Sequence, residues 1–229
     1  MIPWETLDRV AAPGGAELSL HRRGSEYVIR VDGQDLMGSR QHGSERSLAE
    51  LGCAHVPARG AHVLIGGLGM GFTLRAALDL LSPDARVEVA ELVPAVVVWN
   101  RGPLAQLSGE ALADGRVSVR EGDVGKLIAE SRARYDAILL DVDNGPDALT
   151  SPSNAGLYGA AGLARGLAAL RPGGTLAVWS AADDPGFGKR LARAGFAVQT
   201  ERPLARHNTT KRWGKRHVVW LAVKPGYRT

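Results

Sequence analysis

The chain reads as an α/β protein with a seven-stranded, mostly parallel sheet whose last strand is antiparallel, helices on both faces, and a small β-hairpin appendage at the N-terminus. Three observations predict it. From His62 onward, short continuous apolar runs alternate with amphipathic stretches, the pattern of a mostly parallel sheet covered on both faces. One run enters the glycine-rich turn Gly66-Gly67-Leu68-Gly69-Met70-Gly71. The last two runs have no apolar helix between them, so they pair as an antiparallel hairpin at one edge.

Taken in order, ELSLHR (17–22) and EYVIRV (26–31) alternate in polarity around Arg23-Gly24-Ser25 and form the hairpin, and Asp32-Gly33 turns the chain again. SERSLAELG follows as a short helix, with Ser44 and Ser47 near its start, Leu48 and Leu51 at helical spacing and Gly52 to stop it. The strands of the main sheet are 62–66, 86–91, 116–120, 135–141, 174–180, 196–200 and 217–223. Helices over 70–81, 93–104, 123–132, 155–170 and 184–194 lie between them. The expected division is an N-terminal unit, 1–54, before a main domain, 55–229.

Composition narrows the function classes. The 229 residues are 45% hydrophobic and 23% charged, with a net charge of +4, the balance of a soluble globular protein. Cys53 is the only cysteine, which excludes a disulfide scaffold. No run approaches the roughly 18 apolar residues of a membrane helix, and the start has an acidic residue where a signal peptide would be basic. The expectation is a cytoplasmic protein with no membrane partner. The one real charge run is Arg202 to Arg216, with six Lys or Arg and no acidic residue. A surplus of four charges is weak evidence for nucleic acid as a partner, and a solvated hairpin loop accounts for the run.

The chemistry-bearing residues follow the strands. In the glycine loop, Gly66, Gly67, Gly69 and Gly71 let the chain turn tightly, let a ligand approach the backbone, and aim helix N-terminal amides at it. Glu91 ends the next strand, twenty residues after Gly71, where a carboxylate can accept from both ribose hydroxyls or cap the following helix. Asp123, before Val124, can read an adenine amino group, cap a helix, or do both. Asp141 closes the fourth strand and opens DVDNGPD, so Asp141 and Asp143 lie at the carboxyl edge of the sheet, where open α/β sheets hold ligands. Asx-Gly-Pro clusters also make ordinary turns. No His, Cys and Asp spacing argues for a metal.

This order, together with LRPGGTLAVW and the N-terminal VDGQDLMGSRQHGSE, resembles the Rossmann-like class I S-adenosylmethionine (SAM) transferase fold and, within it, the spermidine synthase family of polyamine aminopropyltransferases. The Asp-rich loop stands where that family has D-S-x-D. The resemblance implies that Gly66, Gly67, Gly69 and Gly71 cradle the donor, that Glu91 binds its ribose, and that Asp123 and Val124 bind its adenine. It makes Asp141 or Asp143 the group acting on the attacking amine, and the assembly a homodimer. An alkylammonium has a pKa of about 10 and must lose a proton before it can attack a sulfonium carbon. Glu45, Asp147 and Trp213 are the candidates for the small-molecule acceptor.

Two departures stand out. The family loop reads G-G-G-D-G-G, its Asp helping to hold the amine of decarboxylated SAM, whereas this chain has Gly69 there; that favours intact SAM. Leu36-Met37 and then His42-Gly43-Ser44-Glu45 follow where the family places a polyamine-binding Gln and Tyr. Trp179 and Trp220 read as core, Trp99 as a helix face, and Trp213, in the basic loop, as the tryptophan placed to touch a substrate. The donor is SAM or decarboxylated SAM and the transferred group methyl or aminopropyl. A SAM-dependent small-molecule methyltransferase and a non-catalytic nucleoside- or nucleic-acid-binding module are the alternatives, with an NAD enzyme ranked below them.

Overall fold

The computed structural model describes residues 2–142, 156–205 and 215–226. Asp143, Asp147 and Trp213, and most of the basic run, lie outside the described residues. The main sheet has seven strands: β5 (His62–Gly66), β6 (Arg86–Glu91), β7 (Val117–Glu121), β8 (Tyr135–Leu140), β9 (Leu170–Ser180), β10 (Ala197–Glu201) and β11 (Val218–Val223). Their order is β10-β11-β9-β8-β5-β6-β7. β11 runs antiparallel to both β9 and β10, and the β9-β8-β5-β6-β7 pairings are parallel.

Burial explains the strand patterns. β5, β8 and β11, inside the sheet, are buried almost throughout, so they need apolar side chains on both faces. Edge strands β7 and β10 are largely exposed and carry polar residues. Successive residues enter opposite cores. Val63, Ile65, Ala137, Leu139, Ala177, Trp179, Val219 and Leu221 point into one core. Leu64, Ile138, Leu140, Leu176, Val178, Val218 and Trp220 point into the other.

Helices α2 (Phe72–Leu80) and α3 (Pro94–Arg101) feed the first core, while α4 (Val124–Ala129), α5 (Ala160–Ala169) and α6 (Pro185–Arg193) feed the second. Start signals are plain at α6, where Asp184 accepts from the amides of Gly186 and Phe187 at 2.8 and 3.1 Å and Pro185 takes the first turn. Helix α1 (Gly43–Gly52) packs against α2, β8 and β9. Gly52 does more than end it: a Cβ there would lie 2.2 Å from Leu139 Cδ2, so the helix sits directly on the sheet.

The N-terminal hairpin is larger than expected. It is a four-stranded antiparallel sheet in sequential order, β1 (Glu5–Ala11), β2 (Glu17–Arg23), β3 (Glu26–Val31) and β4 (Gln34–Gly38). β1 is mostly exposed and β4 has no buried position, so they lack the apolar alternation that marks a half-buried strand. Asp32 and Gly33, both at positive φ, make the β3–β4 turn. Leu18, Leu20 and Ile29 join the first core, and Trp99 Nε1 donates to Asp8 at 2.7 Å, tying β1 to α3. Among the described residues no helix is long and apolar enough to cross a membrane.

Candidate active site

A cavity of about 490 Å³ lies where β5, β6, β7 and β8 end. Gly67, Gly69, Glu91, Asp123, Val124 and Asp141 all reach it, and the N-terminal sheet covers it with Val28, Leu36 and Met37 among others. The position follows from topology. Parallel strands bring their carboxyl ends to one edge, and the antiparallel β11 brings its beginning there, which delivers His217.

The glycine loop is shaped by close backbone contact. Gly67, at φ +85°, passes so near β8 that a Cβ would lie 2.3 Å from the Asp141 carbonyl oxygen. Gly66 closes β5 beneath Val124, and Gly71, at φ +79°, caps α2 against Ser108 and Asn100; neither is part of the cavity wall. Asn100 Nδ2 donates to the Gly69 and Val96 carbonyls at 2.8 and 2.9 Å, tying the loop to α3. Asn100→Ala removes that tie, and a weakening of nucleoside binding by roughly five- to tenfold in calorimetry is expected, one net hydrogen bond being worth ~1 kcal/mol.

Glu91 is buried and accepts from two amides, Leu68 N at 2.8 Å and Val93 N at 2.9 Å, so its carboxylate joins the glycine loop to the start of α3. Asp123 caps α4 through Oδ1 and the Gly125 amide at 2.7 Å. Asp123 thus plays the helix-capping part weighed from the sequence, whereas Glu91 bonds the amide of Val93, the N-cap residue of α3, a helix with no side-chain cap; both carboxylates also line the cavity.

The other end of the cavity holds the titratable groups. Thr73, in the first turn of α2, donates to Asp141 Oδ2 at 2.6 Å. Burial, reinforced by the charge of Glu45 and opposed by Thr73, pushes Asp141 up to about 7. Burial likewise raises Glu45, against the hydrogen bond from Ser44 Oγ to its Oε2 at 2.7 Å. His217 Nδ1 lies 2.8 Å from the same Ser44 Oγ. Burial, then Lys215, pushes His217 down to about 4, so it is neutral near pH 7.

Met37 and Trp179 complete the walls. A Cβ on Gly69, at φ +52°, would meet Met37 Cε at 2.8 Å and Sδ at 3.0 Å, so a thioether overlies the place where the family loop has its Asp. Trp179 is core, as its strand pattern implied, but it also lines the cavity, edge-on to His217 with centroids 4.8 Å apart. Its Nε1 is buried with no hydrogen-bond partner among the described residues. Of the basic run, Lys215 lines the cavity, whereas Arg202 pairs with Asp183 and Arg216 with the Arg202 carbonyl. Among the described residues no group of three or more His, Cys, Asp or Glu is disposed to hold a metal ion.

Sequence reasoning named Glu45 and Asp141 but missed His217, Ser44, Thr73 and Asn100. His217 had a usable signal: it is the first residue of the strand expected to run antiparallel, whose beginning must lie at the ligand edge. The others are polar residues in helices, with nothing local to mark them.

The strand order, the glycine turn after β5 and the ligand edge define the class I methyltransferase fold, here with a β-sheet in front of it. More narrowly, the chain has a spermidine synthase-like fold. The crystal structure of spermidine synthase from Thermotoga maritima matches with a TM-score of 0.75 at 17% identity, over 96% of this chain and 72% of that one. A structure of spermidine synthase in complex with the transition state analogue AdoDATO matches with a TM-score of 0.74 at 16% identity, over the same shares. No protein-family profile matches the sequence, and no curated protein matches it.

Proposed function

We propose that this chain is a spermidine-synthase-like transferase that moves an alkyl group from a SAM-type sulfonium donor to the nitrogen of a small-molecule amine. The observation that carries the reading is the convergence of the glycine loop, Glu91, Asp123 and Asp141 on one cavity, with the fold of an enzyme that binds AdoDATO in support. Glu91 would take the ribose hydroxyls, Asp123 Oδ2 the adenine amino group, and Val124 the adenine face, while Gly67 and Gly69 let the donor lie against the backbone. Asp141 would accept a proton from the acceptor's ammonium. The freed lone pair then forms the N–C bond as the C–S bond breaks, its electron pair leaving on sulfur, and alignment supplies the rest of the rate.

Two donors divide the reading. The spermidine synthase fold supports aminopropyl transfer from decarboxylated SAM; Met37 over Gly69 favours methyl transfer from intact SAM, because it leaves an aminopropyl ammonium facing a thioether instead of a carboxylate. Calorimetric titration with SAM, decarboxylated SAM and methylthioadenosine decides between them. We expect intact SAM to bind more tightly than the decarboxylated form, and Gly69→Asp to shift the preference toward the latter by roughly tenfold, as a charge-assisted hydrogen bond would. Asp tolerates the positive φ there better than most side chains, and the flexible end of Met37 can move aside. Preference for decarboxylated SAM in the native chain would establish aminopropyl transfer; failure of all three to bind would remove the transferase reading. The exposed edge strand β1 offers pairing to a second copy, consistent with a homodimer, and a cytoplasmic location is part of the same proposal.

A further inference from the structure

The backbone that carries His217 is clamped. Its amide donates to the Pro203 carbonyl at 3.0 Å, and the chain beside it is tied back to α1: Ala205 N donates to the Lys215 carbonyl at 2.9 Å, and Gly43 N to the Ala205 carbonyl at 3.0 Å. The ring meets Trp179 of β9 edge-on and turns Nδ1 to the fully buried Ser44 hydroxyl, 2.8 Å away. A side chain fixed at both backbone and ring is pre-organised for a ligand. His217 also lines the cavity. With Nδ1 committed to Ser44, Nε2 is the ring nitrogen left to face a bound molecule.

The first turn of α1 decides where the ring carries its proton. A hydroxyl has one proton to give. Ser44 Oγ gives it to Glu45 Oε2 at 2.7 Å, so it accepts from His217 Nδ1–H. Burial, with the charge of Lys215 two residues before it, keeps His217 neutral near pH 7. A neutral imidazole has a single N–H, so Nε2 bears a lone pair, and an acceptor recessed from water gains from a donor brought by a ligand. Strand alternation puts His217 on the face of the sheet that holds Val219 and Leu221, and Asp141 on the same face with Leu139. Val218 lies opposite Ser180, and Leu140 opposite Val178. Both side chains therefore stand at the ligand edge on either side of β9, their backbones roughly 10 Å apart at two strand spacings.

We propose that His217 binds the acceptor, its Nε2 taking a hydrogen bond from an N–H of the amine, with Ser44 and Glu45 as the positioning residues that keep this nitrogen unprotonated. The idea rests on the transferase reading above. It narrows the acceptor to an amine that still has an N–H after giving a proton to Asp141, which is a primary or secondary amine. No further proton moves: the N–H shared with Nε2 stays on the substrate nitrogen, and Asp141 remains the base. With that N–H held, the freed lone pair has fewer directions open to it, and in-line attack depends on such alignment.

Imidazole nitrogen NMR of the full chain with isotope-labelled histidine, methylthioadenosine saturating, tests this; His217→Asn identifies the signals that belong to the residue. In the native chain Nδ1 should carry the proton and Nε2 none, and Ser44→Ala should let the proton distribute between them. Butylamine should shift the Nε2 resonance as that nitrogen accepts a hydrogen bond, whereas the tertiary amine N,N-dimethylbutylamine should leave it in place. His217→Asn still offers Ser44 an N–H but has no group at Nε2. It should bind butylamine roughly five- to tenfold more weakly in calorimetry, the effect of one net hydrogen bond, and undiminished nucleoside binding shows that it is folded. A residue that only braced Glu45 would leave the amine affinity where it was. A protonated Nε2 in the native chain, a tautomer unchanged by Ser44→Ala, an Nε2 resonance indifferent to bound butylamine, or unaltered affinity in His217→Asn overturns the proposal. If the nucleoside binds and butylamine does not, the His217 site falls while the donor reading stands; if the nucleoside does not bind, both fall.

Discussion

Asp141→Asn is expected to lower donor turnover, read as thioether nucleoside formed, by on the order of 10³-fold, while methylthioadenosine binding stays within about threefold. The amide preserves an acceptor for the Thr73 hydroxyl at 2.6 Å but cannot take a proton from an ammonium. A module that only binds nucleosides would show no turnover to lose. The same substitution has a signature in stability. Asp141 is raised from 3.8 to about 7, so between those values the folded chain binds more protons than the unfolded one, and its stability falls as pH rises through that window. The Asn variant has no such slope from this group. It should match the native chain near pH 4 and exceed it near pH 8 by a few kcal/mol, at ~1.4 kcal/mol per pKa unit. Thermal denaturation at the two pH values measures this, and parallel curves for the two proteins would show that Asp141 is not the titrating group.

Gly67→Ala is the substitution expected to cost the fold most. Its φ of +85° is strained for any side chain, and the new Cβ would lie 2.3 Å from the Asp141 carbonyl oxygen and 3.0 Å from the Asp141 carbonyl carbon. Both obstacles are backbone, anchored by the hydrogen bond from the Asp141 amide to the Gly66 carbonyl at 2.8 Å, so neither can rotate away. A loss of about 3 kcal/mol or more in denaturant unfolding is expected, with nucleoside binding impaired as the loop moves off β8. Gly33→Ala is the control: its φ is +79° with nothing within 4 Å of the added Cβ, so only the conformational cost of ~1 kcal/mol applies. Equal losses in the two variants would show that the contact with Asp141 is not tight.

How far the sequence could be read depended on burial. Strands such as YDAILL, buried throughout, announce themselves as continuous apolar runs, and HVLIG followed by glycines marks both a strand and the ligand edge. β1 and β4 were invisible for the opposite reason: as outer strands of a small sheet, buried at no position, they need no apolar alternation. The donor half of the site was legible because each of its residues follows a strand, and a parallel sheet brings strand ends together. Glu45 was placed with the acceptor by the departure of its segment from the family pattern, and Met37 was noted there without its place over Gly69.

By itself, then, the sequence determined the strand and helix alternation, the antiparallel edge, and the carboxylates at strand ends, since these depend on periodicity and chain order. Only the tertiary structure decided that Met37 lies over Gly69, that Thr73 bridges toward Asp141 and Glu45, and that His217 braces Glu45 through Ser44. Those contacts join a strand of the N-terminal sheet, two helices and the last strand across long sequence separations. No local pattern encodes them, because they exist only when the packed core brings those surfaces together and excludes water from between them.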